Sequence, residues 1–301
     1  MPTTIPFLRE FEPAYGTLVP VSPLIRRLVA ANSGPFTAWG TGTYVIGHGQ
    51  VAVIDPGPDD PKHIDALLAA LGTETVTALV ITHTHMDHSP AAAKLKQHWQ
   101  APTVGCGPHG ARGDTLEAGA DYDYQPDRQL SDGEAVTGSG WTLRAVATPG
   151  HTSNHLCFCL EEEHALFTGD HVMGWSTTVI SPPDGDMSAY MRSLNKVLTR
   201  GDATLYPTHG APITQPKPFV EALIAHRLER EAQVLDCLAC GIAEIPAMVA
   251  KLYADVDPRL HRAAGRSLLS HLLKLIDEGR VRRDGQSQAA RDDIQGRFSL
   301  A

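Results

Sequence analysis

The chain has 301 residues, 42% hydrophobic and 20% charged, the composition of a folded protein with a sizeable core. A formal net charge of -9 argues against a default nucleic-acid binder, because phosphate backbones attract basic surfaces. No apolar run approaches the ~20 residues of a membrane span, MPTTIPFLREFEPAYG has no apolar signal core, and five cysteines suggest no disulfide framework, so the expected setting is cytoplasmic.

From residue 17 the pattern is of short strands with turn punctuation. TYVIG (43–47) and QVAVIDPG (50–57) predict a hairpin. DDPKHIDALLAALG (59–72) has an early proline, apolar residues at helical spacing and a closing glycine, the marks of a helix. TALVITHTH (77–85) is a buried strand running into a loop, SPAAAKLKQHW (89–99) a helix and APTVGC (101–106) a strand. The second half repeats the grammar: a strand in WTLRAVATPGHT (141–152), a hairpin over 155–170, a helix over 187–198 and a strand in TLYPTHG (204–210). Two β-rich halves, each followed by helices, point to an α+β fold of the four-layer αββα type.

Strands stop near residue 215. A long helix is expected over 217–239, then two more in AEIPAMVAKLYADV and LHRAAGRSLLSHLLKLIDEG, then a basic hairpin in RVRRDG (280–285). That order is winged-helix-like. The expected division is therefore a catalytic domain over 1–215 and a helical C-terminal domain over 216–301. Residues 258–301 hold 9 Lys/Arg against 5 Asp/Glu, although the chain as a whole is acidic.

The chemistry is concentrated in loops. His83, His85, Asp87 and His88 lie within HTHMDH, directly after an apolar strand. His83 and His85 can turn toward one ion and Asp87 and His88 toward a second. His151 in ATPGHT, Asp170 in FTGD and His209 in YPTHG follow three further strands. Strand ends gather on one edge of a sandwich, so these loops can meet. Imidazole and carboxylate donors suit zinc, with iron or manganese as alternatives. His48, His63, His98, His109, His164 and His261 stand alone and are read as ordinary surface or core histidines. Cys237 and Cys240 form one C-x-x-C without a second pair, and Cys157 and Cys159 point the same way on a strand, so all four read as structural.

H-x-H-x-D-H followed by a distant His, Asp and His resembles the metallo-β-lactamase superfamily over residues 35–215. The resemblance implies a first metal site of His83, His85 and His151, a second of Asp87, His88 and His209, and Asp170 bridging them. It places Asp55 of VIDPG behind the ligands as a buttress. NSGPFTAWGTGTYVIG, GDHVMGWSTT, AHRLERE and the tail are further similar to the β-lactamase-like-protein-two group, whose mitochondrial member cleaves single-stranded RNA. His171 departs from that pattern, standing where that enzyme carries a cysteine.

The expectation is a dinuclear hydrolase, with two zinc ions sharing a hydroxide as nucleophile. Asp87 would ligate and orient that nucleophile, and His171 and His226 are the candidates for leaving-group acid. Trp175 and Thr177, in a stretch after Asp170 that also holds Ser176 and Thr178, are candidates to line the pocket, and Arg227 to hold an anionic substrate. Single-stranded RNA is the leading substrate expectation, meeting Arg227, Arg266, Arg280, Arg282 and Arg283. Small carbonyl substrates such as thioesters, lactones or β-lactams are the alternative, and a nucleic-acid-binding regulator is a weaker one. The last helix has few basic residues, which leaves a lid or a homodimer contact as its other use.

Overall fold

The computed structural model describes residues 3–111, 119–284 and 294–301. The first sheet holds seven strands in chain order: β1 (Val19–Pro20), β2 (Ile25–Val29), β3 (Gly42–Ile46), β4 (Gln50–Ile54), β5 (Thr75–Ile81), β6 (Thr103–Gly105) and β7 (Arg128–Gln129). β3 and β4 form the expected hairpin, with Val45 opposite Val53. β4, β5 and β6 run parallel, linked by α1 (Pro61–Ala70) and α2 (Ala91–Trp99). Right-handed crossovers along one direction of a sheet place both helices on the same face. There they bury Ile64, Leu67 and Leu95. α1 begins where the Asp60 carboxylate accepts from Lys62 N at 3.0 Å, with Pro61 in the first turn.

The second sheet holds β8 (Ala135–Gly138), β9 (Trp141–Ala147), β10 (Leu156–Leu160), β11 (Ala165–Gly169) and β12 (Thr204–Pro207), in the order β12-β11-β10-β9-β8. Period-two alternation gives this sheet two apolar faces. Phe158, Leu160 and Phe167 face the first sheet. Cys157, Cys159 and Leu166 face outward, onto α3 (Met187–Arg200) and the first half of α4 (Pro216–Ala239). Helices, sheet, sheet and helices follow in turn, the four-layer αββα order expected. At the centre Phe167 packs between Tyr44 at 5.0 Å and Tyr206 at 5.6 Å.

The tail comprises α5 (Ile245–Leu252), α6 (His261–Asp277), and β13 (Val281–Arg283) antiparallel to β14 (Phe298–Leu300). Residue 285, the last of the expected basic hairpin, lies outside the described residues. α4 belongs to two cores. Phe219, Val220 and Leu223 pack with the second sheet, whereas Val234, Cys237 and Leu238 pack with Leu268 and Leu272 of α6. The apolar face of α6 is therefore buried within the chain. Among the described residues no helix is long and apolar enough to cross a membrane.

Removing the Phe167 ring should leave a cavity between the sheets that rigid strands cannot close. Phe167→Ala is expected to cost about 3–5 kcal/mol, read as a lower urea midpoint with an unchanged slope.

Candidate metal centre and pocket

β5, β9, β11 and β12 end near one another, and each runs into a loop that carries the expected donors. All seven of His83, His85, Asp87, His88, His151, Asp170 and His209 are buried. Donor atoms of His83, His85, His151 and Asp170 lie within 4.8 Å of one another, as do those of Asp87, His88 and His209. Asp170 faces both groups. Its Oδ1 is 3.4 Å from His209 Nε2, and its Oδ2 is 3.5 Å from His88 Nε2 and 3.8 Å from His151 Nε2.

The surroundings fix which ring nitrogen points inward. His209 Nδ1 donates to Gly40 O at 3.0 Å and His151 Nδ1 to Val179 O at 2.7 Å. His88 Nδ1 donates to Asp55 Oδ2 at 2.9 Å, and His83 Nδ1 to the Thr82 hydroxyl at 3.0 Å. With Nδ1 protonated, Nε2 of each ring is left as a lone pair for an ion. His85 turns the other way: its Nδ1 lies 3.1 Å from both His83 Nε2 and His151 Nε2. Asp55 takes the place expected for it. Besides His88 it accepts from Thr82 N and the Thr82 hydroxyl, each at 2.8 Å, and from the Thr208 hydroxyl at 3.2 Å. It does so from a left-handed backbone at φ 47°, uncommon outside glycine.

One supporting residue had no clear mark in the sequence. His155 is 1% exposed, and its ring stacks on His83 at 5.1 Å. Its Nε2 accepts from Asp170 N at 3.2 Å and its Nδ1 donates to the Thr148 hydroxyl at 2.9 Å, which fixes the backbone carrying Asp170. Position alone, four residues after His151, was the available signal. The residue before Asp170 must be glycine, since a Cβ on Gly169 would sit 2.7 Å from His155 Nε2 and 2.8 Å from the Thr82 hydroxyl. A Cβ on Gly150, before His151, would meet Tyr190 at 2.4 Å.

The electrostatics describe a site built for cations. Burial opposes charge on His209, but the Asp170 and Asp87 carboxylates outweigh it and push the imidazole up to about 10. His88 behaves alike: burial opposes its charge, and Asp87, Asp170 and Asp55 raise it well above the usual value. His83, by burial and by the neighbouring histidines, is held well below it and stays neutral. Asp170 Oδ1 and His88 Nε2 are buried without a hydrogen-bond partner. Orphaned inward donor atoms and an all-nitrogen-and-oxygen ligand set fit a pair of metal ions.

A cavity of about 370 Å³ reaches Asp170. Phe36, the loop around Trp175 and Thr177, α4, and the tail residues Leu252, Tyr253 and Leu260 wall it. The structure thus brings Trp175, Thr177, His226 and Arg227 to one pocket, with Arg9 and Arg230, which the sequence did not single out. His171 is not brought there. It is fully buried, with its ring against Tyr190 at 5.0 Å, and burial takes its pKa down to about 3. His226 does reach the pocket, but burial with the Arg227 and Arg230 charges takes it down to about 4. At neutral pH neither ring is an imidazolium, so neither stores the proton that a leaving-group acid would give. Of the lone histidines, His63 is the expected core residue, with Nε2 3.0 Å from Pro56 O.

This fold and this arrangement define a class, and comparison with known proteins agrees. Residues 37–209 match the model of the metallo-beta-lactamase superfamily, to which the chain belongs, and residues 245–291 match that of the beta-lactamase associated winged helix domain. It is 35% identical over 297 residues to an atrochrysone carboxyl ACP thioesterase of Aspergillus chevalieri, covering 91% of this chain and 90% of that one. It is 32% identical to the beta-lactamase-like protein 2 homolog of Caenorhabditis elegans, covering 92% and 91%. Among solved structures, a beta-lactamase domain protein from Burkholderia ambifaria shares the fold at 21% identity and a TM-score of 0.79, over 99% and 97% of the two chains. The chain is a hydrolase of this superfamily.

Two outcomes are expected. Ions entering the site must displace protons from His88 and His209, so loading the metal-free protein at pH 7 should release protons. Raising the pH weakens that competition, so affinity should climb steadily from pH 6 and not level off until the His209 value of about 10 is approached, as read by calorimetry in buffers of different ionisation enthalpy. Asp55→Ala should weaken metal affinity about 10–100-fold while the fold survives, checked by metal content after dialysis against a graded chelator.

Proposed function

We propose that the chain hydrolyses thioesters, or closely related acyl compounds, that carry an apolar acyl part. The observation that carries this is the pocket at Asp170. It is about 370 Å³, within the range of small-molecule sites, and is walled largely by aromatic and aliphatic side chains. Trp175 would lie against the apolar part, and Thr177 would offer a hydroxyl to its polar edge. Leu252, Tyr253 and Leu260 of the tail keep water from the acyl group, which gives the winged helix a role in shaping the pocket. The thioesterase name of one relative supports the same substrate class.

His83, His85 and His151 would hold one ion and Asp87, His88 and His209 the other, with Asp170 shared; zinc is the expected metal. Ions held there would lower the pKa of a bound water to about 7 and polarise the acyl oxygen. Asp87 would orient the nucleophile, and its Oδ2 accepts from the Thr41 hydroxyl at 3.1 Å. The neutral state of His171 and His226 fits a leaving group that needs no acid. A thiolate, with a parent pKa of about 8.5, leaves unprotonated far more readily than an alkoxide. The five cysteines are free, which suits a reducing compartment such as the cytoplasm.

The RNA reading has less support. Arg227 is 3% exposed, Arg266 donates to the Ser181 hydroxyl and the Pro182 carbonyl, and Arg280 is ion-paired with Glu231. Arg282 donates to the Ser299 hydroxyl, and Arg283 lies 5.5 Å from the Phe298 ring centroid. Arg280, Arg282 and Arg283 thus make their contacts within the tail, and Arg227 and Arg266 make theirs with the stretch 178–182.

The test is one parallel assay of an acyl thioester, a lactone, a chromogenic β-lactam and a single-stranded RNA. Thioester turnover should be the fastest and should change less than about twofold between 50 and 500 mM salt, and Asp170→Asn should abolish it. RNA cleavage that falls by orders of magnitude with salt, without thioester turnover, would replace this reading by the nuclease one.

A further inference from the structure

Three guanidinium groups, those of Arg9, Arg227 and Arg230, line the pocket, and Asp170 is the single carboxylate among its described lining residues. Ions at the metal centre would engage that carboxylate, leaving the walls positive in a chain whose net charge is -9. Elsewhere the protein pairs its partly buried charges: Arg200 with Asp202 at 2.8 Å, and Lys274 and Arg280 with Glu231 at 2.6 Å. Arg227 and Arg230 have no carboxylate partner among the described residues. Arg227 donates to Thr178 O, and its guanidinium lies 5.3 Å from the Tyr190 ring centroid. Arg230 donates to Leu252 O at 3.2 Å and lies 4.3 Å from the Tyr253 ring centroid. The Nε of each is buried without a hydrogen-bond partner, and so are Trp175 Nε1 and His226 Nδ1 in the same pocket. A buried guanidinium without a counter-ion is costly unless a ligand supplies one.

We propose that Arg227 and Arg230 form a subsite for an oxyanion on the substrate, distinct from the scissile carbonyl. The substrate is then an apolar acyl thioester with a negative group, either a carboxylate on the acyl part or a phosphate on the thiol part. Planar guanidinium forks with free N–H groups suit both. Trp175 supplies a further N–H donor beside the apolar surface, and Arg9, exposed at the pocket rim, supplies attraction from outside. The reaction in this inference rests on the acyl-hydrolase reading; the anion site does not.

The first experiment measures binding alone. Metal-loaded protein is titrated calorimetrically with 2-naphthalenesulfonate, a weak metal ligand, and with neutral 2-naphthalenemethanol. The sulfonate should bind about tenfold or more tightly. Arg230→Gln should cut that preference to roughly threefold or less, and Arg128→Gln, at a 51% exposed side chain outside the pocket lining, should leave it intact. Both variants lose a backbone bond, Arg227→Gln that to Thr178 and Arg230→Gln that to Leu252, so each is read beside its thermal unfolding; the half-buried Arg230 decides the matter. Equal binding of the two probes, or a preference untouched by Arg230→Gln, overturns the subsite.

The second experiment finds the source of the anion. Hexanoyl and adipoyl thioesters of N-acetylcysteamine differ by one carboxylate, and hexanoyl-coenzyme A adds phosphates on the thiol side. An Arg230-dependent rise in kcat/KM for the adipoyl compound places the anion on the acyl part, and one for the coenzyme A compound places it on the thiol part. Thioester turnover without either preference sinks the subsite and leaves the hydrolase standing. Arg230-dependent sulfonate binding without any thioester turnover does the reverse.

Discussion

The centre depends on one carboxylate, that of Asp55. Its two oxygens accept from the Thr82 backbone and hydroxyl, from His88 and from the Thr208 hydroxyl. Thr82 and His88 follow β5 of the first sheet, and Thr208 follows β12 of the second. A single buried anion thus ties the two sheets at the edge where the donors converge. It also sets a proton order. The Thr82 hydroxyl donates to Asp55 and so can accept only from His83, which turns His83 Nε2 inward. Two sheets packed face to face can slide and twist by small amounts. A hydrogen-bonded anion spanning both removes that freedom where metal chemistry tolerates it least.

Close packing around glycine does the rest. Gly169 lets β11 approach Thr82 and His155 so tightly that no side chain fits, and Asp170 leaves that crowded point aimed between the two groups of donors. His155 then holds the Asp170 backbone from behind. The backbone that carries Asp170 is therefore held by close backbone contacts and by the His155 imidazole, which burial keeps neutral.

The sequence was most legible where local chemistry alone decides. HTHMDH after an apolar strand, with three later turns each carrying one His or Asp, picked out seven residues that the fold brings together, because strand ends must share an edge. The central strands and the helices were legible for the same reason, as period-two and helical spacing reflect burial directly. β2 was harder: IRRLV carries two arginines, and the strand is identified by its pairing with β3. Contacts made only in three dimensions were illegible. His155 acts through a stacking partner 72 residues away, and Arg9 and Arg230 line one pocket although they lie far apart in the chain. The expected meaning of the tail arginines also changed in three dimensions, since composition does not reveal that Arg280 faces Glu231.

The continuity of α4 limits how the protein can move. Its first half is part of the sandwich core and its second half is part of the tail core, so one rigid rod of 24 residues, roughly 36 Å long, is clamped at both ends. Tail and sandwich cannot hinge apart without breaking that rod or tearing one core. Among the described residues, the pocket bounded by Phe36 and the loop around Trp175 gives an approach to Asp170 that needs no such hinge. Partial unfolding of the tail would also be felt at the sandwich, so the helix couples two otherwise separate cores into one cooperative unit.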